Sequence, residues 1–428
     1  MRVLVIGSGG REHALVWSIG RSPDVDAVLC APGSDGIGVD GRVVPVDEGD
    51  FEGIARLVTR EGVDLVVVGP EQPLANGITD RLRRDGIAVF GPSQEAARLE
   101  SSKTFAKEFM HRHGIPTAAY RSFEDPDEAA AYVESCHAPV VVKADGLAAG
   151  KGVSVCADAQ EARRAIEEAM RERRFGDAGA RVVIEERLHG EEASYYAISD
   201  GERFVTLAAA QDHKPVLDGD RGENTGGMGA YSPAPVVDGE VERRIVERIV
   251  RPAIDGMRLE GEPYRGVLYV GLMIADGEPR VIEFNTRFGD PETQAILFRL
   301  ESDLVPLLQA AAEGRLRDDA QSGIRFGAPA VCVVMSSKGY PRSYPRDLPI
   351  EGLGEAAALP DVKIFHAGTR CNAGVWRTQG GRVLGVTARG PSVAAARDRA
   401  YAAVSRIRFE GAHYRTDIAA RALGRERP

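Results

Sequence analysis

The sequence predicts a multidomain protein that joins an α/β part to α+β parts, and three observations carry that prediction. The first hundred residues alternate apolar strands with helices, and the strands end in glycine or proline turns. The middle of the chain pairs apolar segments around Asp-Gly turns, the signature of antiparallel hairpins. The length, 428 residues, suits roughly three domains of ordinary size.

Residues 2–6 read as a buried strand, followed by Gly7-Ser8-Gly9-Gly10 and a helix over 11–19. Further strands are expected at 63–68, ending in Gly69-Pro70-Glu71, and at 87–90, ending in Gly91-Pro92-Ser93. This arrangement indicates a parallel sheet whose ligand lies at the carboxyl ends of the strands. The glycine turn feeds a helix N-terminus, where a phosphate can be held. It is not the dinucleotide fingerprint, because the third glycine of G-x-G-x-x-G falls at Glu12.

From 102 to 326 the pattern changes. Strands at 139–144 and 153–156 flank a loop, Asp145-Gly146-Leu147-Ala148-Ala149-Gly150-Lys151-Gly152. This is not a Walker A loop: its glycine spacing is one short, no Ser or Thr follows Lys151, and a strand follows instead of a helix. Such a loop between antiparallel strands can still cover a triphosphate with its N–H groups. Residues 181–186 form another strand, and 194–199 pairs with 203–209 about Asp200-Gly201. The polar, glycine-heavy stretch 211–233 is expected to be a long loop without regular structure, a kind usually retained for function. A last hairpin pairs 266–275 with 280–285 about Asp276-Gly277. Strict alternation puts Val281, Glu283 and Asn285 on one face, with Ile282 and Phe284 on the other. A carboxylate beside an amide oxygen suits a hard cation such as Mg²⁺. An isolated E-x-N is more often just a polar strand face.

Beyond 327, strands at 330–335, 362–366 and 382–388 precede a helix over 392–407, with the proline-rich stretch 340–349 left irregular. This region should complete the core and wall one side of a cleft.

The net charge of −10 argues against a broad nucleic-acid or membrane-binding face, although a pocket's local field can still attract an anionic small molecule. The five cysteines are scattered and never in C-x-x-C spacing, which fits a reducing compartment and supports neither zinc nor disulfides. The chain opens on a strand, not on a signal peptide, and no apolar run reaches membrane-spanning length, so a cytoplasmic location is expected. Only seven of the 54 basic residues are lysine. A lysine here is suited to a site where a compact ammonium approaches phosphate and a planar guanidinium would not fit. Lys143 and Lys151 flank the glycine loop, Lys214 sits in 211–233, and Lys103 opens a helix; Lys107 and Lys363 read as ordinary surface positions.

Seven segments, in order, carry a resemblance: GSGGREHAL (7–15), GPEQPL (69–74), VVKADGLAAGKGV (141–153), NTGGMGAYSPAP (224–235), VIEFNTRFGDPETQ (281–294), FHAGT (365–369) and GRVLGVTARG (381–390). They resemble the phosphoribosylamine–glycine ligase (glycinamide ribonucleotide synthetase) family of the ATP-grasp superfamily. The chain departs from that pattern at Pro215, at Glu223 and at the Gly33-Ser34-Asp35 turn, where arginine, proline and asparagine are usual.

The resemblance implies a parallel α/β domain over 1–101, an ATP-grasp domain over 102–326 with a small lid at about 120–190, and an α+β domain over 327–428. It implies a monomeric enzyme of purine biosynthesis that uses ATP, glycine and 5-phosphoribosylamine. It places Lys103, Lys143, Gly146, Gly150, Lys151, Gly152, Glu185, Glu186, Leu188 and Glu192 (or Glu191) around ATP, and Glu283 and Asn285 on Mg²⁺ or Mn²⁺. Arg287, Asp290, Asp212 and Lys214 would serve catalysis, with Asp290 orienting Arg287. Gly9, Gly10, Glu12, Glu71, Asn224 and Thr225 would hold the other substrates. A glycyl phosphate must be shielded from water, so 211–233 is expected to close with the 146–152 loop, Gly227 allowing the movement. Two alternatives stay open: a ligase for another carboxylate and amine, or a non-catalytic nucleotide-binding or dinucleotide-binding protein. The E-x-N pair and the loop lysines argue against a regulator, and the missing third glycine against a dinucleotide.

Overall fold

The computed structural model describes residues 1–136, 139–148 and 151–425. Strands β1 (Arg2–Gly7), β2 (Ala27–Pro32), β3 (Arg42–Val43), β4 (Leu65–Val68) and β5 (Val89–Phe90) form one all-parallel sheet in the order β3-β2-β1-β4-β5. Val3 to Ile6 are fully buried, as strands covered on both faces require. The order reverses between β1 and β4, so the switch-point crevice opens where the Gly7 and Gly69 turns meet. Helix α1 (Gly10–Ile19) starts there. β2 and β3 escape a reading by pattern because Ala, Cys and Pro dilute the apolar signal of β2, and β3 has only two residues.

Next in the chain, β6 (Tyr120–Phe123), β7 (Val140–Ala144), β8 (Val153–Cys156) and β9 (Val182–Glu186) form an antiparallel sheet in the order β6-β9-β7-β8. β10 (Glu191–Asp200) and β11 (Phe204–Thr206) form the expected hairpin. The following stretch, 211–233, is not the structureless loop that its composition suggests. It contains β12 (Gln211–Asp212), β13 (Pro215–Leu217), β14 (Arg221–Asn224) and β15 (Gly229–Ser232). β13 and β14 pair as a hairpin, and β15 is buried along its length. Its partner strand lies about a hundred residues further on, so local composition carried no trace of it.

β16 (Arg265–Ala275) and β17 (Glu278–Asn285) complete the sheet β11-β10-β16-β17. β18 (Ala330–Ser336), β19 (Val362–His366), β20 (Thr369–Asn372), β21 (Val375–Thr378) and β22 (Arg382–Arg389) follow. The sheet β12-β15-β18-β22-β19 therefore joins the last region to the 211–233 stretch. One apolar core runs from Val3, Val5 and Leu15 through Leu297 to Tyr196 and Val267, binding the first sheet to the β10–β16 sheet.

A polar latch ties the first region to the last. The backbone N–H of His366 donates to His13 Nδ1 at 2.8 Å, so the His13 proton sits on Nε2 and is donated to Asp40, also at 2.8 Å. Lys363 pairs with the same carboxylate at 2.6 Å. Lys363 is thus half-buried and engaged, not the ordinary surface lysine that the sequence suggests. His366 packs on Trp376 with ring centroids 4.3 Å apart. Burial first, then the neighbouring His13 and Lys363, hold the His366 imidazole down to about 3. The unfolded chain, with an ordinary imidazole, binds the extra proton between about pH 6.5 and about pH 3, so stability is lost as pH falls through that window. The melting temperature should accordingly fall between pH 7 and pH 5, and His366→Asn should flatten that slope. An unchanged slope in His366→Asn would show that another group sets the acid limit.

Candidate functional site

Three sheets meet at one cavity. The carboxyl ends of β1 and β4, the inner face of the β6–β9 sheet and the end of β17 enclose about 300 Å³. Glu71, Lys103, Lys143, Gly152, Glu185, Asp212, Lys214, Thr225, Glu283, Asn285, Arg287 and Asp290 line it. An adjoining cavity of about 340 Å³ adds Glu186, Leu188, Glu192 and Asn224, and Lys151 stands on a third, outer mouth. Gly150 lies outside the described residues. Gly146 is engaged from behind, its carbonyl accepting from Lys103 Nζ at 3.0 Å.

The end of β17 departs from strict alternation. Gly271 pairs with Glu283 and Leu272 with Val281, leaving Ile282 as one extra residue, a β-bulge. Val281 and Phe284 therefore belong to the apolar core, while Ile282, Glu283 and Asn285 line the cavity. Val281 does not share a face with Glu283, because the bulge shifts the pleat between them. The Ile282 carbonyl, released from the ladder, accepts from Lys143 Nζ at 3.0 Å.

Lys143 also pairs with Glu185 Oε1 at 2.9 Å, and Lys107 pairs with Glu185 Oε2 at the same distance. Lys107 is only 2% exposed and donates to Thr117 Oγ1 at 2.8 Å, so it too is no surface lysine. Burial, only partly offset by Glu185, lowers its ammonium to about 8. Around Glu283, burial raises the carboxyl, but Lys214, Lys143 and Lys103 outweigh burial and hold it below the usual range. Among the described residues its only direct polar contact is Asn285 Nδ2, at 3.4 Å.

Arg287 is held by acids other than the one expected. It pairs with Glu71 at 3.1 Å and with Glu100 at 3.0 Å, and donates to Asn285 Oδ1 at 3.3 Å. Asp290 instead pairs with Arg382 at 2.9 Å and accepts from Gln294 Nε2 at 2.7 Å. The turn over 286–290 carries Asp290 past Arg287 to the start of α1, beside Gly9 and Gly10, where an added Cβ would collide with Glu12 and Gln294 and only touch Asp290. Burial raises the Glu71 carboxyl, yet Arg287 and Arg11 prevail and bring it to about 2. Glu12 is buried and accepts from the Gly9 N–H at 2.7 Å, so its carboxylate is committed to capping α1 and does not line the cavity.

On the opposite wall, Lys214 pairs with Glu192 at 3.0 Å and lies 3.9 Å from Asp212. Burial, partly opposed by Lys214, lifts the Asp212 carboxyl to about 6. Thr225 spends its hydroxyl on the Lys214 carbonyl, at 2.7 Å. Glu186 turns outward to the Ala119 N–H and Arg280, and its own N–H donates to Ala119 O at 2.9 Å. Gly227, at φ +112°, faces Pro291, and a Cβ there would come within 2.5 Å of the proline ring. A side chain at 227 therefore pushes on the 286–291 turn directly, with no closure required.

Sequence reasoning missed Arg11, Glu100, Lys107, Glu292 and Arg382. Arg11, Glu292 and Arg382 stand inside segments already singled out, so the signal was present; Lys107 carried the scarcity of lysine as a signal but was read as a surface position, and Glu100 had none.

A family model described as phosphoribosylglycinamide synthetase, ATP-grasp (A) domain, matches residues 101–293, and the corresponding N and C domain models match 1–100 and 330–421. Biotin carboxylase from Campylobacter jejuni superposes with a TM-score of 0.73 at 16% identity, over 96% of this chain and 92% of that one, a likeness of fold alone. The architecture is that of an ATP-grasp enzyme. Phosphoribosylamine–glycine ligases from Allochromatium vinosum and Pseudomonas aeruginosa are each 51% identical over 100% of this chain, and over 100% and 99% of theirs. The phosphoribosylamine–glycine ligase structure from Thermotoga maritima gives a TM-score of 0.84 at 33% identity, over 98% of this chain and 100% of that one. The chain belongs to the phosphoribosylamine–glycine ligase family.

The Lys107–Glu185–Lys143 cluster yields a stability prediction. Lys107→Met leaves Glu185 half-paired in the interior and should cost about 3 kcal/mol in urea unfolding, the low end for a broken buried pair because Lys143 remains. A loss under about 1 kcal/mol, the range of exposed pairs, would mean that water reaches this carboxylate.

Proposed function

We propose that the chain joins glycine to 5-phosphoribosylamine in an ATP-driven ligation that yields glycinamide ribonucleotide, ADP and phosphate, the step of purine biosynthesis that its family implies. The observation that carries this reading is half-buried Glu283 beside buried Asn285, facing three lysines at the meeting point of three sheets. Glycine carboxylate is a poor acyl donor because an oxide is a poor leaving group. In the first step a carboxylate oxygen attacks the γ-phosphorus and ADP departs. In the second the amine nitrogen attacks the glycyl carbonyl carbon, the carbonyl–phosphate bond breaks, and inorganic phosphate leaves. The first step needs charge neutralisation and in-line placement more than bond chemistry from the protein; the second needs the amine held against the carbonyl carbon and a base for its proton.

Lys143, Lys103 and Lys151, with the Gly146–Gly152 loop, suit the nucleotide phosphates, and the Glu185–Leu188 strand end with Glu192 (or Glu191) suits the nucleoside. Glu283 and Asn285 would hold Mg²⁺ or Mn²⁺, which would neutralise phosphate charge. Two protein ligands leave the remaining positions to phosphate oxygens and water. Glu283 fits that part because, among the described residues, no cation is in ion-pair contact with it; Asn285 would turn its amide oxygen toward the ion and release Arg287. Arg287 then suits the glycine carboxylate or the phosphoryl group in transfer, oriented by Glu71 and Glu100. The Gly9–Gly10 turn suits the ribose 5-phosphate, and Asn224 the substrates beside Lys214. Asp212, a buried carboxylate at about 6, suits accepting the amine proton. The division at 1–101, 102–326 with a lid at about 120–190, and 327–428, and a cytoplasmic monomer, complete the reading.

ADP release with ATP, glycine and freshly made phosphoribosylamine, each omitted in turn, tests the reaction; release that ignores the amine would overturn it. Glu283→Gln preserves shape but removes the charge and should lower turnover roughly 10²–10³-fold. Activity within about threefold of wild type would remove Glu283 from the site. Lys143→Arg should weaken nucleotide binding markedly, because a fork does not fit between Glu185 and the Ile282 carbonyl. Unchanged affinity in a nucleotide titration would count against a phosphate role.

A further inference from the structure

The largest fully buried side chain among the described residues is an arginine far from the cavity in sequence. Arg415 is 1% exposed, and four of its five guanidinium N–H groups are engaged. Nε and Nη2 form a fork onto Asp417 at 2.7 and 2.6 Å. Nη1 donates to Asp220 Oδ1 at 2.9 Å and to the Pro215 carbonyl at 3.0 Å. Pro215 directly follows Lys214. The contacts around Arg415 continue along the same hairpin. His413 Nε2 bonds the Val216 carbonyl at 2.8 Å, Thr416 bonds Asp218 through both its N–H and its hydroxyl, and the Gly219 N–H donates to Asp417 at 2.8 Å. Arg421 adds a second cation to Asp220 at 2.6 Å.

The segment that makes these contacts is itself fixed. Tyr401, on the helix Val393–Val404, donates to the Arg415 carbonyl at 2.7 Å and accepts from the Ile418 N–H at 3.1 Å. Lys214 is therefore held from two sides: its carbonyl by Thr225, and the next residue by Arg415.

We propose that residues 413–421 form a clamp that sets the position of Lys214 in the cavity, and that Arg415 is the positioning residue at its centre. A buried guanidinium paired with two aspartates is a poor choice for stability alone, since an apolar side chain of similar size often does as well. What an apolar group cannot do is grip a carbonyl and two carboxylates in one fixed geometry. The inference rests on the reading that Lys214 serves the reaction, and its test separates the two.

The test is a double-mutant cycle on the full-length enzyme, read as kcat/KM for substrate-dependent ADP release. Arg415→Met should lower kcat/KM by on the order of 10²-fold, as small displacements in an active site do. In a Lys214→Gln background the same change should have almost no further effect, because the lysine it places is gone. Thr416→Ala, at the exposed rim of the clamp, provides a variant that spares the buried cluster; a several-fold loss is expected, again absent without Lys214. Losses that multiply in either double variant overturn the clamp, because a general loss of folded enzyme acts equally in both backgrounds. An Arg415→Met enzyme with wild-type kcat/KM also overturns it. If Lys214→Gln alone is fully active, the role of Lys214 fails first, and the clamp as a catalytic positioning device fails with it. ADP affinity, titrated directly on the four proteins of the Arg415 cycle, gives a second reading free of turnover.

Discussion

One extra residue in β17, opposite Gly271, governs what faces the cavity. Without the bulge, strict alternation would keep Val281 on the side of Glu283 and Asn285, and the Ile282 carbonyl would stay in the ladder. With it, the apolar residues return to the core, two polar side chains point into the cavity, and a carbonyl is freed for Lys143. Gly271 suits the arrangement, since a Cβ there would crowd Glu283 Cγ at 3.2 Å. From the freed carbonyl a sequence of contacts runs inward: Lys143 to Glu185, and Glu185 to Lys107. One of the three lysines that act on Glu283 is thus positioned by the strand that carries Glu283 and Asn285.

The same compactness explains how a chain of net charge −10 can present cations to a polyanion. Lys103, Lys143 and Lys214 act together on Glu283, and Arg287 sits between Glu71 and Glu100. In so little water these groups act over short distances with weak screening, and the overall charge of the surface matters little. The acids serve to hold the cations: Glu185, Glu192, Glu71 and Glu100 each engage a lysine or arginine that lines the cavity.

The last hundred residues shape the site mostly through other residues. Arg382, at the start of β22, joins the Gly226 carbonyl, the Asp290 carbonyl and the Asp290 carboxylate, drawing two loops onto that strand. The His366 backbone holds His13, on the helix whose first turn carries Gly9 and Gly10. Strand β15, once it pairs with β18, ties the Asn224–Gly227 turn to this region as well. Part of the 211–233 stretch is accordingly a wall built by tertiary pairing, and Gly227 there allows close approach to Pro291.

By itself the sequence determined the elements whose cause is local. The strand of residues 2–6, the helix after its glycine turn and the Asp-Gly hairpins were legible because turn chemistry and apolar period act over a few residues. Most cavity-lining groups were legible through the family resemblance of the seven segments in which they stand. Only the tertiary structure decided which partner each one takes. The bulge reversed Val281, the turn over 286–290 delivered Asp290 to Arg382 instead of Arg287, and folding buried Lys107 against Glu185. Each of these outcomes depends on groups tens to hundreds of residues apart competing for one carboxylate or one carbonyl. That competition is settled by packing and desolvation in the interior, where no local pattern has a say.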